Sequence, residues 1–333
     1  MAMDITIKTI KEELLRRNNN FHESIKRIQN GLVCNACSII IPVYNQMDVL
    51  NFCLNSLQTQ KNAPPFEVII VDDYSKKSLD RKRFPQTKFP IHCYRLNKNV
   101  GSSITRNVGL RWSNNDVIIF LDADMIVPNN FVYEHSRCHP THSNNISIGY
   151  REHILKGYFK IRKRKIADPK RDFRYERYIP IAWKKEYPRI SSEVFGKTYY
   201  LLKESDNFLE FGKGRIIGIW TLPHMVLTSS MAVRKTNILK VGGFDPRFVA
   251  SWYEDTFLGA KLIANGAKVI PLLNITGWHI VRNISNLTLR KKQAIFKNRQ
   301  LYDLLINGKM ELRKPSDFLD KLKQYDRFTK KVF

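Results

Sequence analysis

Five apolar residues in a row, Val117-Ile118-Ile119-Phe120-Leu121, run directly into Asp122-Ala123-Asp124. An unbroken apolar run of this length suits a strand covered on both faces, as in a parallel sheet flanked by helices. Functional sites in such sheets lie at the carboxyl ends of the strands. Two carboxylates one residue apart repel each other unless something positive sits between them. A divalent cation holding a phosphorylated ligand meets that need, because hard oxygen donors suit Mg²⁺ or Mn²⁺.

The rest of the chain alternates in the same way. Ser38 to Val43 reads as a strand, Met47 to Gln58 as a helix, Phe66 to Val71 as a second strand and Ile91 to Leu96 as a third. Val100 to Trp112 reads as a helix with Gly101 at its start, ahead of the fourth strand, Val117 to Leu121. Strands separated by helical stretches imply right-handed crossovers and a mostly parallel sheet. Further on, Glu254 to Ala264 has helical spacing and stops at Asn265-Gly266, and Lys268 to Leu272 reads as a strand. Residues 4 to 30 carry a rough apolar stripe of Ile5, Ile7, Ile10, Leu14 and Leu15, suited either to packing on the core or to docking on a membrane or partner. Residues from about 287 onward read as two basic helices split near Gly308 or Pro315.

The chain has 333 residues, enough for one large α/β domain with appendages. Its net charge of +26 predicts attraction to something anionic: a membrane surface, a nucleic acid or an acidic glycan. Residues 151–190 hold fourteen Lys and Arg against five Asp and Glu, with fading apolar periodicity, and read as a loop-rich insertion or lid. No run approaches the ~20 apolar residues of a spanning helix, and no secretory leader is expected from residues 1–30. Five cysteines, an odd number, argue for a reducing compartment. Cys34 and Cys37 have no second pair at zinc-ribbon spacing, and His135, Cys138, His139 and His142 lack a second half. Both clusters read first as structural and only second as metal sites.

Polar residues gather at the strand ends. Tyr44 and Asn45 follow the first strand, Asp72 and Asp73 the second, Asp122 and Asp124 the fourth. A single such aspartate is ordinarily a turn residue; repetition at several ends is not explained by turns. The stretches Ser38-Ile-Ile-Ile-Pro-Val-Tyr-Asn45, Val71-Asp-Asp-Tyr-Ser75, Asn99-Val-Gly-Ser-Ser-Ile-Thr-Arg-Asn-Val-Gly109 and Leu121-Asp-Ala-Asp124 resemble, in order and spacing, family 2 glycosyltransferases of the GT-A fold. Val241-Gly-Gly-Phe-Asp-Pro246 and Trp252-Tyr-Glu-Asp255 resemble the acceptor half of such enzymes, in a galactosyltransferase-like C-terminal portion. The resemblance covers about residues 37 to 282, with 151 to 215 unmatched.

That resemblance implies a GT-A domain over 34–285, between an N-terminal helical segment 1–33 and basic C-terminal helices 286–333. Within it, 34–126 would bind the nucleotide sugar, 151–215 would be the basic insertion and 216–285 the acceptor half. It implies roles as well. Pro42 and Tyr44 would line the base, and Asp72 or Asp73 would accept a hydrogen bond from uracil. Gly101 would let backbone approach the ligand, and Arg106 would contact the nucleotide or its diphosphate. Asp122, Ala123 and Asp124 would handle ribose and metal, with His279 of Gly277-Trp-His279 as a further ligand of Mn²⁺ or Mg²⁺. Asp255, or its neighbour Glu254, would be the catalytic base, and Trp252 a sugar-stacking wall. The activity implied is inverting transfer from a UDP-sugar to a hydroxyl of a cell-envelope, lipid-linked, polysaccharide or protein acceptor. The place implied is the cytoplasm, peripherally on the inner face of the membrane. Two rivals are weaker. A sugar nucleotidyltransferase needs a Gly-rich basic loop where this chain has Val43-Tyr-Asn-Gln-Met47. A nucleic-acid-binding protein would carry a recognition signature beside its charge, and no specific nucleic acid is expected.

Overall fold

The computed structural model describes residues 9–17, 24, 28, 34–155, 222–249, 252–281 and 288–333. A short helix α1 (Ile10–Arg16) comes first, capped by Thr9, whose side chain accepts from Glu12 N. Its Ile10 and Leu14 are buried in the main core, and the Arg17 Nη2 that follows donates to Ala264 O at 2.8 Å. The apolar stripe is therefore packed inward in this part rather than left free for docking.

Strand β1 (Cys37–Val43) is followed by helix α2 (Met47–Leu57), strand β2 (Phe66–Asp72), strand β3 (Ile91–Leu96), helix α3 (Ser102–Trp112) and strand β4 (Val117–Leu121). These four strands lie side by side in the order β3-β2-β1-β4, all parallel, with Val43 opposite Asp72. Ile39 to Ile41, Val68 to Val71 and Val117 to Leu121 are all fully buried. Both faces are covered, which is why the strands read as continuous apolar runs. Pro42 is tolerated in this central strand because β4 pairing stops at Ile40 opposite Phe120.

The chain continues through β5 (Met125–Ile126), α4 (Phe131–Arg137), β6 (Asn145–Leu155), β7 (Ser230–Arg234), α5 (Lys235–Lys240), α6 (Glu254–Ala264), β8 (Lys268–Val281), α7 (Leu289–Ile306), α8 (Pro315–Gln324) and β9 (Thr329–Lys331). The described strands form one nine-stranded sheet, β5-β8-β6-β7-β4-β1-β2-β3-β9. Strand β7 runs antiparallel to β4 and β6, and β6 runs parallel to β8. The parallel half thus carries a mixed extension, and the whole is the α/β GT-A architecture that the motifs implied. The C-terminal helices α7 and α8 form as expected, and β9 then pairs antiparallel with β3 at the sheet edge. The expected insertion lies outside the described residues from 156 to 215; its first residues belong to β6.

Close approach decides one glycine. A Cβ on Gly109 of α3 would stand 2.3 Å from Ile40 Cγ2 of β1, so only glycine lets this helix seat on the sheet. At the opposite, N-terminal rim, Ser38 Oγ donates to Glu67 Oε1 at 2.6 Å and Asn114 N donates to the same oxygen at 2.8 Å. Polar residues there serve connection and packing. The histidine cluster is structural too. His135 and His139 are buried and share Ser147 Oγ at 2.8 and 2.9 Å, and burial holds both imidazoles below the usual range. All five cysteines are free thiols.

Candidate active site

The C-terminal ends of β1, β2 and β4 open on one rim. From β4 the chain turns through Asp122 and Asp124 into β5, which pairs with β8 so that Met125 lies opposite His279. That pairing corrects one expectation: the strand expected at Lys268 to Leu272 runs on to Val281, and His279 sits within it rather than after it. The extended pairing brings the imidazole to the carboxylates. Asp124 Oδ1 lies 3.2 Å from His279 Nε2. One ligand atom each from Asp122, Asp124 and His279 fall within 4.8 Å of one another, and this is the one such group of three among the described residues. Burial raises the Asp124 pKa, but the neighbouring His279 outweighs it and holds the carboxyl below its ordinary value. Gln46, in the turn after β1, donates Nε2 to Asp124 Oδ2 at 2.9 Å. Ala123 between the acids is buried.

A second group stands across this rim. Helix α6 begins at Glu254, directly after Trp252 (φ +94°) and Tyr253 (φ +70°). Two consecutive non-glycine residues in the left-handed region are costly, and such outliers concentrate at functional sites. Buried Asn298 of α7 holds this turn, donating Nδ2 to Val249 O and Trp252 O, each at 2.9 Å. Trp252 keeps its side chain half exposed. Glu254 is buried, and its Oε1 accepts from Arg106 at 2.9 Å and from Ser102 Oγ at 2.8 Å. Arg106 reaches the other way to Asp122 Oδ1 at 3.1 Å, with its guanidinium 5.6 Å over the Phe244 ring. Asp255 is only half-buried and accepts from Thr256 N at 2.8 Å. Burial and the charge of Glu254 push its pKa up to about 7, against the pull of Arg106.

The two aspartates after β2 have dense local bonding. Asp73 Oδ1 accepts from Val100 N at 2.7 Å, while its Oδ2 accepts from Gly101 N and Asn99 Nδ2, each at 2.9 Å. Gly101, at φ +90°, opens α3 in a conformation other residues avoid. Asp72 is fully buried; it accepts from Ser75 N at 2.9 Å and pairs with Arg95. Tyr44 is half exposed beside Pro42 at the end of β1.

Five of the expected residues, Asp73, Gly101, Glu254, Arg106 and Asp122, are therefore joined in one chain of contacts that passes through Ser102, while Asp72 is turned to Arg95 and Ser75. Gln46, Arg95, Ser102 and Asn298 went unread in the sequence. Ser102 lies inside the quoted stretch Asn99–Gly109, and Gln46 directly follows the one that ends at Asn45, so both could have been picked out there. Arg95 and Asn298 carry no local signal.

A family profile described as Glycosyl transferase family 2 matches residues 38–203. The uncharacterised glycosyltransferase YfnE of Bacillus subtilis is 27% identical over 238 residues, covering 68% of this chain and 59% of that protein. Chondroitin synthase of Pasteurella multocida is 26% identical over 254 residues, covering 69% of this chain and 23% of that protein. The chain thus spans about three-fifths or less of the length of these relatives. Among solved structures, S. aureus TarS 1–349 in complex with UDP-GlcNAc overlays with a TM-score of 0.49 at 17% identity, covering 87% of this chain and 72% of that one. A mannosyltransferase from Pyrobaculum calidifontis in complex with GDP-Man and Mn²⁺ gives 0.48 at 12%, covering 95% and 80%.

Proposed function

Because the glycosyl transferase family 2 profile matches residues 38–203 of this chain, we propose that it is a glycosyltransferase that moves a sugar from a UDP-sugar to a hydroxyl of a glycan acceptor with inversion at the anomeric carbon. The observation that carries this reading is the meeting of Asp122, Asp124 and His279 on the strand-end rim, tied through Arg106 to the acids that open α6. Two carboxylates and one imidazole within a few ångströms form a donor set that fits Mn²⁺ or Mg²⁺. Asp124, Asp122 and His279 would hold the ion, which when bound supplies charge stabilisation to the departing diphosphate.

The chain's own groups do the rest. Arg106 is committed to Asp122 and Glu254, so we assign it the positioning of both carboxylates in place of direct phosphate contact. Glu254, buried and tied to Arg106 and Ser102, positions; Asp255 is the base that takes the acceptor proton. A carboxylate with a pKa near 7 is matched to proton abstraction at neutral pH. Trp252 stands ready as an apolar wall for the acceptor sugar. Residues 34–126 then serve the donor and 216–285 the acceptor, as in a galactosyltransferase-like C-terminal portion.

The chondroitin synthase similarity supports a polysaccharide or other envelope glycan as acceptor. No helix among the described residues is long and apolar enough to cross a membrane. We assign a peripheral place on an anionic membrane face, supported by the +26 charge and by exposed Leu289 and Phe296 beside Arg290, Lys291, Lys292, Lys297 and Arg299 on α7.

A panel of UDP-sugars incubated with Mn²⁺ tests the core of the proposal. One donor should be hydrolysed or transferred by the wild type and left intact by Asp124→Ala, whose melting curve stays cooperative. Equal turnover by both proteins would refute it.

A further inference from the structure

Tyr74 occupies a place where a large side chain is unusual. It follows Asp72-Asp73 at the end of β2 with φ +62°, in the left-handed region that disfavours residues carrying a Cβ. The residue is 50% exposed, and Tyr44, its neighbour across the strand ends, is 48% exposed. An aromatic ring left in water on a backbone that prefers glycine has no packing explanation.

The surroundings hold this ring. The Arg95 guanidinium lies 5.1 Å from the ring centroid of Tyr74. Arg95 is itself pinned from two sides, by buried Asp72 and by Ser75 O at 2.8 Å. The turn that carries Tyr74 is locked to the turn that carries Tyr44: Asn45 N donates to Ser75 Oγ at 2.8 Å, and Lys76 N donates to Asn45 Oδ1 at 2.9 Å. A cation fixed by a buried carboxylate orders the ring from one side and leaves the rest of it to solvent.

Position says what this ring meets. Strand β2 is separated from β4 by β1, so its end lies about 10 Å from the end of β4 at roughly 4.8 Å per strand. A diphosphate held at Asp122, Asp124 and His279 leaves its nucleoside to extend across β1 toward β2. We propose that Tyr74, backed by Arg95, is a stacking wall for the donor's nucleobase, a surface every π-faced base can use. Asp72 acts through it, as the anchor of Arg95. This inference rests on the nucleotide-sugar reading above and adds a residue which that reading did not include.

The test measures binding of UDP and of inorganic pyrophosphate, both with Mn²⁺, to wild type, Tyr74→Phe and Tyr74→Gly. Glycine adopts φ +62° freely, so the fold should persist, with Tm unchanged or raised. Stacking on an aromatic ring sets the expected loss of UDP affinity in Tyr74→Gly at roughly 5- to 150-fold. Pyrophosphate binding should be unchanged in that variant, and Tyr74→Phe should bind UDP like the wild type. UDP affinity in Tyr74→Gly equal to wild type overturns the wall, as does an equal loss for pyrophosphate. A wild-type protein that binds pyrophosphate but not UDP overturns the UDP-sugar reading itself, and the wall with it.

Discussion

Asp255 concentrates the residue-scale chemistry. Its carboxyl is raised from 3.8 to about 7 by burial and by Glu254, while Arg106 pulls the other way. As the proposed base it must be ionised, so transfer should rise with pH through about 7 and level off above it, read as kcat against pH. Asp255→Asn should lower kcat by about 10²–10⁴-fold. The same shift has a sign for stability. A folded-state pKa above the unfolded value favours the native state at low pH, and that contribution is lost as pH rises through about 7. Asp255→Asn should therefore melt higher than wild type at pH 8, and a lower Tm there would contradict the raised pKa. At this scale the sequence could nominate acids but not divide labour between them. Glu254 and Asp255 are adjacent, and only the contacts of Ser102 and Arg106, 152 and 148 residues away, single out Glu254 for the proposed positioning role.

Elements aim these residues. Helix α3 carries Ser102 and Arg106 to the rim because Gly109 lets it press onto β1. Gly109→Ala should destabilise the fold by about 1–3 kcal/mol, since Ile40 must move to admit a methyl group; urea denaturation measures it. Helix α7 supports the other side. Asn298 gives both N–H groups of one amide to two carbonyls of the strained turn before α6. Removing it in Asn298→Ala leaves those carbonyls unsatisfied and should cost about 1–3 kcal/mol. Most elements were legible: α2, β2, β3, β4 and α6 fall within a residue or two of their expected bounds, because apolar periodicity and strand-end punctuation are local. Strand β8 was read nine residues too short, because Asn274 and Gly277 break the apolar pattern while the partners β5 and β6 keep it paired.

For the whole molecule, one sheet sets the distances between the strand-end groups, and the proposed peripheral place on a membrane rests on charge. The +26 excess is large enough to dominate encounters with anionic surfaces. The chain should sediment with vesicles containing anionic lipid, release as salt rises, and bind less well as Phe296→Ser. Binding that ignores both salt and lipid charge would remove the peripheral-membrane assignment. The C-terminal segment, read from sequence as a helical appendage, also closes the sheet edge through β9 against β3. Three residues of strand at the end of a basic helical stretch carry too little pattern to announce a partner more than two hundred residues upstream.

By itself, the order of residues determined the parallel core, the acids at its strand ends and the motifs that the glycosyl transferase family 2 profile matches, because each follows from short-range pattern. Tertiary structure alone decided what those acids contact. Arg95 captures Asp72, Arg106 joins Asp122 to Glu254, and His279 reaches Asp124, across 154 intervening positions, through the pairing of β5 with β8. Ion pairs form wherever packing brings opposite charges close, and packing is a property of the folded chain rather than of any stretch of it.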